Sequence, residues 1–176
     1  MKATGIVRRI DDLGRIVLPK ELRRTMRIKE GESLEIYTDG DNKIVLKKYS
    51  PVNQMTDFVK EFTESMYTTN KRNIIVTDNE KIVAASGDFN IDLTGKKITK
   101  ELEERLKNRN TQINNNGVNL NVCENYTINN ASIVKPINVF GDVLGCVIVE
   151  GKPSITDSEK SLAEFGGLFM SRYLEI

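Results

Sequence analysis

The stretch TGIVRRIDDLGRIVLPKELRRTMRI, residues 4–28, sets six arginines and one lysine among aliphatic residues spaced as they would be along short strands. TGIVRRI (residues 4–10) and GRIVL (residues 14–18) read as two strands joined by the acidic turn DDLG, a hairpin candidate. Pro19 stands where a helix can begin, because its missing N–H would be unpaired in a first turn anyway. Leu22 and Met26, spaced i, i+4, share one side of that helix. Arg23, Arg24 and Arg27 fall on or near the other side, and Gly31 lies just past the end. Arginines in the last turns also suit the negative end of the helix dipole, and Arg27 is assigned to that capping role.

Moving outward, SLEIYT (residues 33–38) and KIVLKKY (residues 43–49) alternate around DGDN, whose Asp-Gly pair is a turn signal. The first fifty residues thus read β-β-α-β-β. A unit of that size buries little core and usually needs a metal, a disulfide or a partner chain. The two cysteines of the sequence, Cys123 and Cys146, lie elsewhere and form no C-x-x-C pair, so they read as buried thiols. There is no histidine, which excludes Ser-His and Cys-His catalysis, zinc sites with imidazole ligands and pH switching near neutrality. No metal and no cofactor are expected, and a partner subunit is the support that remains.

Charge is unevenly spread. Residues 1–29 hold nine basic against three acidic side chains, while residues 51–176 hold 14 against 17. An electropositive end on a nearly neutral chain points to a polyanionic partner. No apolar run approaches the length that crosses a bilayer, and no signal-peptide pattern opens the chain, so the expectation is a cytoplasmic protein with no membrane partner.

The residues quoted above, with SLEIYTDGDNKIVLKKYSP after them, closely resemble the AbrB family of bacterial transition-state regulators. The resemblance implies a dimeric swapped-hairpin β-barrel in which two chains interleave their hairpins into one unit that binds double-stranded DNA. Its DNA-contacting arginines carry over to Arg8, Arg15, Arg23 and Arg24. Arg9 is a second-rank candidate, and Lys47 and Lys48 are weaker ones. Arginine suits the task because its planar guanidinium donates two parallel hydrogen bonds to a phosphate, or to O6 and N7 of guanine. The competing reading is that some of these arginines pair with Asp11, Asp12 or Glu21 instead.

From residue 51 the character changes. Met55, Phe58, Val59, Phe62 and Met66 make an amphipathic helix opened by Ser50 and Pro51. Strands follow at residues 73–78 and 81–86, then a helix at residues 98–107. Ten asparagines between residues 108 and 130 favour turns around one strand near LNVCEN. A hairpin at residues 132–139 and 143–150 and a last helix, opened by the capping-box pair Thr156 and Glu159, complete the order α-ββ-α-βββ-α. That order and the closing GDVLGCVIVEGKPSITDSEKSLAEFGGLFM look like a GAF domain, an antiparallel sheet flanked by helices that often senses small molecules. Cyclic-nucleotide GAF domains can carry an NKFDE motif, and this sequence holds no Asp-Glu pair, so any effector is of unidentified chemistry.

On the last helix, Leu162, Phe165, Phe169 and Tyr173 make one apolar row, and Ala163, Gly167, Met170 and Leu174 make another beside it. One row can face the sheet. The other, with Phe58, Phe62 and Met66 of the first helix, is expected to pair across subunits and build a tetramer, Gly166-Gly167 permitting close approach. An ordinary broad core face is the equal alternative.

The expectation is therefore an α+β protein with an AbrB-like DNA-binding domain at residues 1–50 and a GAF-like sensing or oligomerisation domain at residues 51–176. It is a transcriptional regulator and not an enzyme. Resemblance to a two-domain member of the family implies activation of some sporulation-stage genes and repression of others. The alternative is an antitoxin-type autoregulator that neutralises a toxin.

Overall fold

The computed structural model describes residues 5–40 and 42–175. The chain divides at the Tyr49–Ser50 bond into two compact units, each described by itself below.

In the first unit, α1 (Lys20–Thr25) starts directly after Pro19 and ends in a Schellman arrangement. The N–H of Ile28 donates to the carbonyl of Arg23, and the N–H of Arg27 to that of Arg24. Arg27 takes the left-handed conformation there, with φ 53°, a position that glycine usually fills. Arg27 therefore ends the helix through its backbone conformation. β1 (Leu34–Asp39) and β2 (Lys43–Lys48) pair antiparallel from Leu34↔Lys48 to Asp39↔Lys43. Asp41 of the connecting DGDN lies outside the described residues.

The expected hairpin of residues 4–10 and 14–18 is not formed in the single chain: residues 5–19 carry no strand, and Thr4 lies outside the described residues. The physical reason is on the surface. Ile6, Val7, Ile10, Leu13, Ile16 and Val17 are all exposed, so a ladder there would have no apolar face to lie on, and a lone two-stranded hairpin is marginal in water.

The second unit is built on a five-stranded antiparallel sheet of order β4-β3-β9-β8-β5, formed by β3 (Ile74–Asp78), β4 (Ile82–Ser86), β5 (Gln112–Asn114), β8 (Ser132–Val139) and β9 (Asp142–Glu150). Alternation along the strands assigns side chains to opposite faces. Ile74, Val76, Val147 and Val149 join one core under α3 (Thr56–Asn70) and α5 (Asp157–Leu174). Ile75, Cys146 and Ile148 join a second core with α4 (Lys100–Leu106) and the small hairpin of β6 (Leu120–Cys123) and β7 (Tyr126–Ile128). With both faces covered, β3 is buried at every residue. Each fully buried Ile, Leu or Val contributes about 1.5–3 kcal/mol relative to exposure.

The first helix of this unit is split. α2 (Pro51–Gln54) is capped by the Ser50 hydroxyl, which accepts from the N–H of Asn53, and Met55 breaks the run before α3 begins. Ser50 also donates to the buried Asp78 carboxylate, so the entry of the chain is tied to the end of β3. The capping box of α5 forms as expected, Thr156 and Glu159 bonding reciprocally. The asparagine-rich region holds three short strands where one was expected. Asn114 is drawn into the core by a bond to Ser132 Oγ, and Leu120, Val122 and Ile128 are buried.

Candidate nucleic-acid interface

The basic side chains singled out in the sequence all fall in the first unit. Arg8, Arg9 and Arg15 flank the DDLG turn and are exposed, Arg8 donating from Nη1 to the carbonyl of Val7 at 3.3 Å. Arg23 and Arg24 are neighbours on α1, the first half-buried and the second exposed.

The turn itself is organised by one carboxylate. Oδ1 of Asp11 accepts from the N–H groups of Leu13 at 3.1 Å and Arg15 at 2.7 Å, and Oδ2 accepts from Arg15 Nε at 2.8 Å. The backbone closes the same loop, Asp11 N–H donating to the Arg15 carbonyl and Gly14 N–H to that of Asp11. The backbone hydrogen bond from Arg15, then the bond from its side chain, hold the Asp11 carboxyl below its ordinary value. Of the arginines carried over from the family pattern, Arg15 is thus one that pairs with an acid.

Lys47 and Lys48 occupy two different settings. Lys47 is exposed, its Nζ 4.6 Å from the centre of the Tyr37 ring, a cation–π contact across the hairpin. Lys48 Nζ lies 3.5 Å from Glu32 and donates to the Arg27 carbonyl at 2.9 Å, which ties β2 to the end of α1. Tyr37 and Glu32 were not singled out in the sequence. The signal was present in the hairpin register, since Glu35 lies opposite Lys47 and Tyr37 diagonal to it.

On the second unit, α3 and α5 lie side by side within one chain and stack their aromatic rows on each other. Phe58 and Tyr173 are 4.3 Å apart between ring centres, and Phe62 and Phe169 are 5.2 Å apart. Phe165 follows, 6.4 Å from Phe62. The contact expected between subunits is thus made first inside the chain. Met66 sits in the core beneath Gly166, and Leu162 packs partly against that core. The second row, Ala163, Gly167 and Met170, faces the sheet, so the Gly166-Gly167 pair serves close approach to Val147 and Lys135 rather than to a partner helix. Phe165, Leu168 and Tyr173 remain 57%, 57% and 42% exposed, enough to leave an apolar face on the outside.

The opposite side of the sheet is filled by its own side chains. Leu93, Leu102, Leu120 and Ile128 close over Ile75 and Ile148, and Cys146 is buried among them. Burial pushes the Cys146 thiol up to about 12 against an opposing hydrogen bond with Thr77, which makes it unreactive. Among the described residues no cluster of His, Cys, Asp and Glu is arranged to hold a metal ion, and no helix is long and apolar enough to cross a membrane.

Residues 54–175 match the family described as stage V sporulation protein T C-terminal, transcription factor. Residues 7–54 match antidote-toxin recognition MazE, bacterial antitoxin. Stage V sporulation protein T of Bacillus subtilis (strain 168) is 37% identical over 177 residues, 99% of each chain. Transition state regulatory protein AbrB of the same organism is 65% identical over 51 residues, 29% of this chain and 52% of that protein. Among solved structures, a type II free methionine-R-sulfoxide reductase from Thermoplasma acidophilum superposes with a TM-score of 0.52 at 9% identity, over 70% of this chain and 94% of that one, a likeness of fold alone. The architecture is accordingly α+β, a first unit similar in sequence to AbrB followed by an antiparallel sheet flanked by helices. Identity along nearly the whole of both chains, together with the match of residues 54–175, shows that the chain belongs to the stage V sporulation protein T family, whose members are transcription factors and not enzymes.

Proposed function

We propose that this chain is a DNA-binding regulator whose first unit works only as a pair, two copies interleaving residues 5–19 into a shared barrel that carries the arginines. The observation that supports this reading is the coincidence in one segment of six exposed aliphatic side chains, Ile6, Val7, Ile10, Leu13, Ile16 and Val17, with exposed Arg8, Arg9 and Arg15. The aliphatic set needs a second chain to cover it; the basic set needs an anion. Pairing brings the four principal arginines of each chain together, so affinity should fall steeply with salt as phosphate counterions are released. Residues 1–50 serve as the DNA-binding part and residues 51–176 as the assembling part. By family, the targets are sporulation-stage genes in the cytoplasm, some activated and others repressed.

Arg15→Ala and Arg24→Ala are expected to weaken duplex binding about tenfold each at moderate salt while leaving the circular dichroism spectrum and oligomeric state intact. Unchanged binding in both would remove the arginine face as the DNA site. In the second unit, the exposed aromatic edge of α3 and α5, formed by Phe58, Phe62, Phe165, Phe169 and Tyr173, supports assembly of dimers into a tetramer. Ligand sensing has less support, since the far side of the sheet is already packed. Native mass spectrometry of the purified chain would detect a retained molecule. A second reading, a toxin-neutralising autoregulator, draws on the match of residues 7–54 to the antitoxin family. The folded second unit argues against it, because its described residues are packed into a sheet and helices where an antitoxin would lay an extended segment along its toxin.

A further inference from the structure

Arg15 carries five N–H donors on a planar group, and the structure commits one edge of it. Nε donates to Asp11 Oδ2 at 2.8 Å, although the Arg15 side chain is 70% exposed and could sample water freely. The same carboxylate has a separate task at its other oxygen, which accepts from the Leu13 and Arg15 N–H groups and shapes the turn. Turn and guanidinium are therefore registered to each other through one rigid group. A bond at Nε leaves the end-on pair of Nη donors in the geometry that matches O6 and N7 of guanine, or two oxygens of one phosphate.

An acid on a DNA-facing surface is an electrostatic liability, since it repels phosphate. Its retention beside a DNA-directed arginine calls for a gain elsewhere, and the gain is order. A long side chain already held in place loses less rotamer freedom when it docks. We infer that Asp11 is a positioning residue for Arg15, fixing its guanidinium for selective contact with DNA at the cost of weaker attraction to DNA in general. This rests on the reading of the arginine face as the DNA site.

Two roles of Asp11 can be separated by Asp11→Asn. An asparagine carbonyl still accepts from Leu13 and Arg15 and keeps the turn, but its NH₂ group then faces the Arg15 Nε–H, donor against donor. The probes are a duplex selected from a random-sequence pool by the unsubstituted chain and the same duplex scrambled. Asp11→Asn should lose about tenfold in affinity for the selected duplex while holding or gaining affinity for the scrambled one. In an Arg15→Ala background the same change should have no selective effect. Arg15→Lys, which keeps the charge but not the fork, should reproduce the selective loss. Amide shifts of Leu13 and Arg15 report whether the turn survives each change.

A loss or gain shared equally by both duplexes would overturn the inference, as would a selective loss of the same size in the Arg15→Ala background. Arg15→Ala binding both duplexes as the unsubstituted chain does would overturn this inference alone, and the DNA-face reading falls with it only where Arg24→Ala binding is unchanged as well. A selective loss confined to chains that contain Arg15 supports it.

Discussion

The side chain of Glu159 is almost wholly buried at the start of α5, yet it is held ionised by three partners. Burial raises its pKa, but hydrogen bonds from the Thr156 hydroxyl, Arg72 Nε and the Thr156 N–H outweigh that and bring it to about 2. A folded-state value below the ordinary 4.5 means that the stabilisation is fully present above that value and is lost as pH falls through about 2. Urea unfolding at steps across this window should show stability of the second unit declining, with a shallower decline in Glu159→Gln. Arg72→Ala, which strips the cation and leaves the carboxylate in place, should cost about 3 kcal/mol at neutral pH in the same assay. The Thr156 and Glu159 half of this network was legible in the sequence, because a capping box is a local pattern. The Arg72 half was not. Eighty-seven positions separate Arg72 from Glu159, and only the packing of α5 beside the start of β3 brings them together.

Among the elements, β3 and β9 form the centre of the second unit, and at Gly145 of β9 there is no space for a side chain. A Cβ at this position would run into the carbonyl oxygen of Thr77, on a strand that has no room to retreat because both its faces are covered. Gly145→Ala is therefore expected to destabilise by about 3 kcal/mol or more, measured by thermal unfolding, whereas alanine at Gly117, where nothing lies within 4 Å, meets only the strain of a positive φ. Elements with strong periodicity and local end signals, α5 and the β8–β9 hairpin, could be read from the sequence. β5 and β7 could not, since three-residue strands in an asparagine-rich run carry almost no pattern. The opposite error at residues 5–19 has a different origin. There the alternation is real, but a strand is a relation between two segments, and under the pairing proposed above the segment that completes the ladder comes from a second copy.

At the scale of the whole molecule, the tetramer proposed above rests on the face left by α3 and α5. Phe165→Glu together with Leu168→Glu would place charge on that face's two most exposed apolar side chains, of which Phe165 contacts the rings of Phe62 and Phe169. Light scattering at micromolar concentration should then report dimers, with tetramers expected of the unsubstituted chain and stability changed by less than about 1 kcal/mol. A monodisperse dimer from the unsubstituted chain would sink the tetramer. The legible part of this site was its composition, two aromatic rows; what the sequence could not reveal is that most of each row is consumed by the other helix of the same chain. The bare aliphatic segment of residues 5–19 has a consequence for how such a regulator responds in a cell. If its DNA surface exists only once two copies have met, occupancy of a promoter rises more steeply than in proportion to protein abundance. In that case the arginines are present but silent below the concentration at which copies find each other, and regulation begins only past a threshold abundance of the protein.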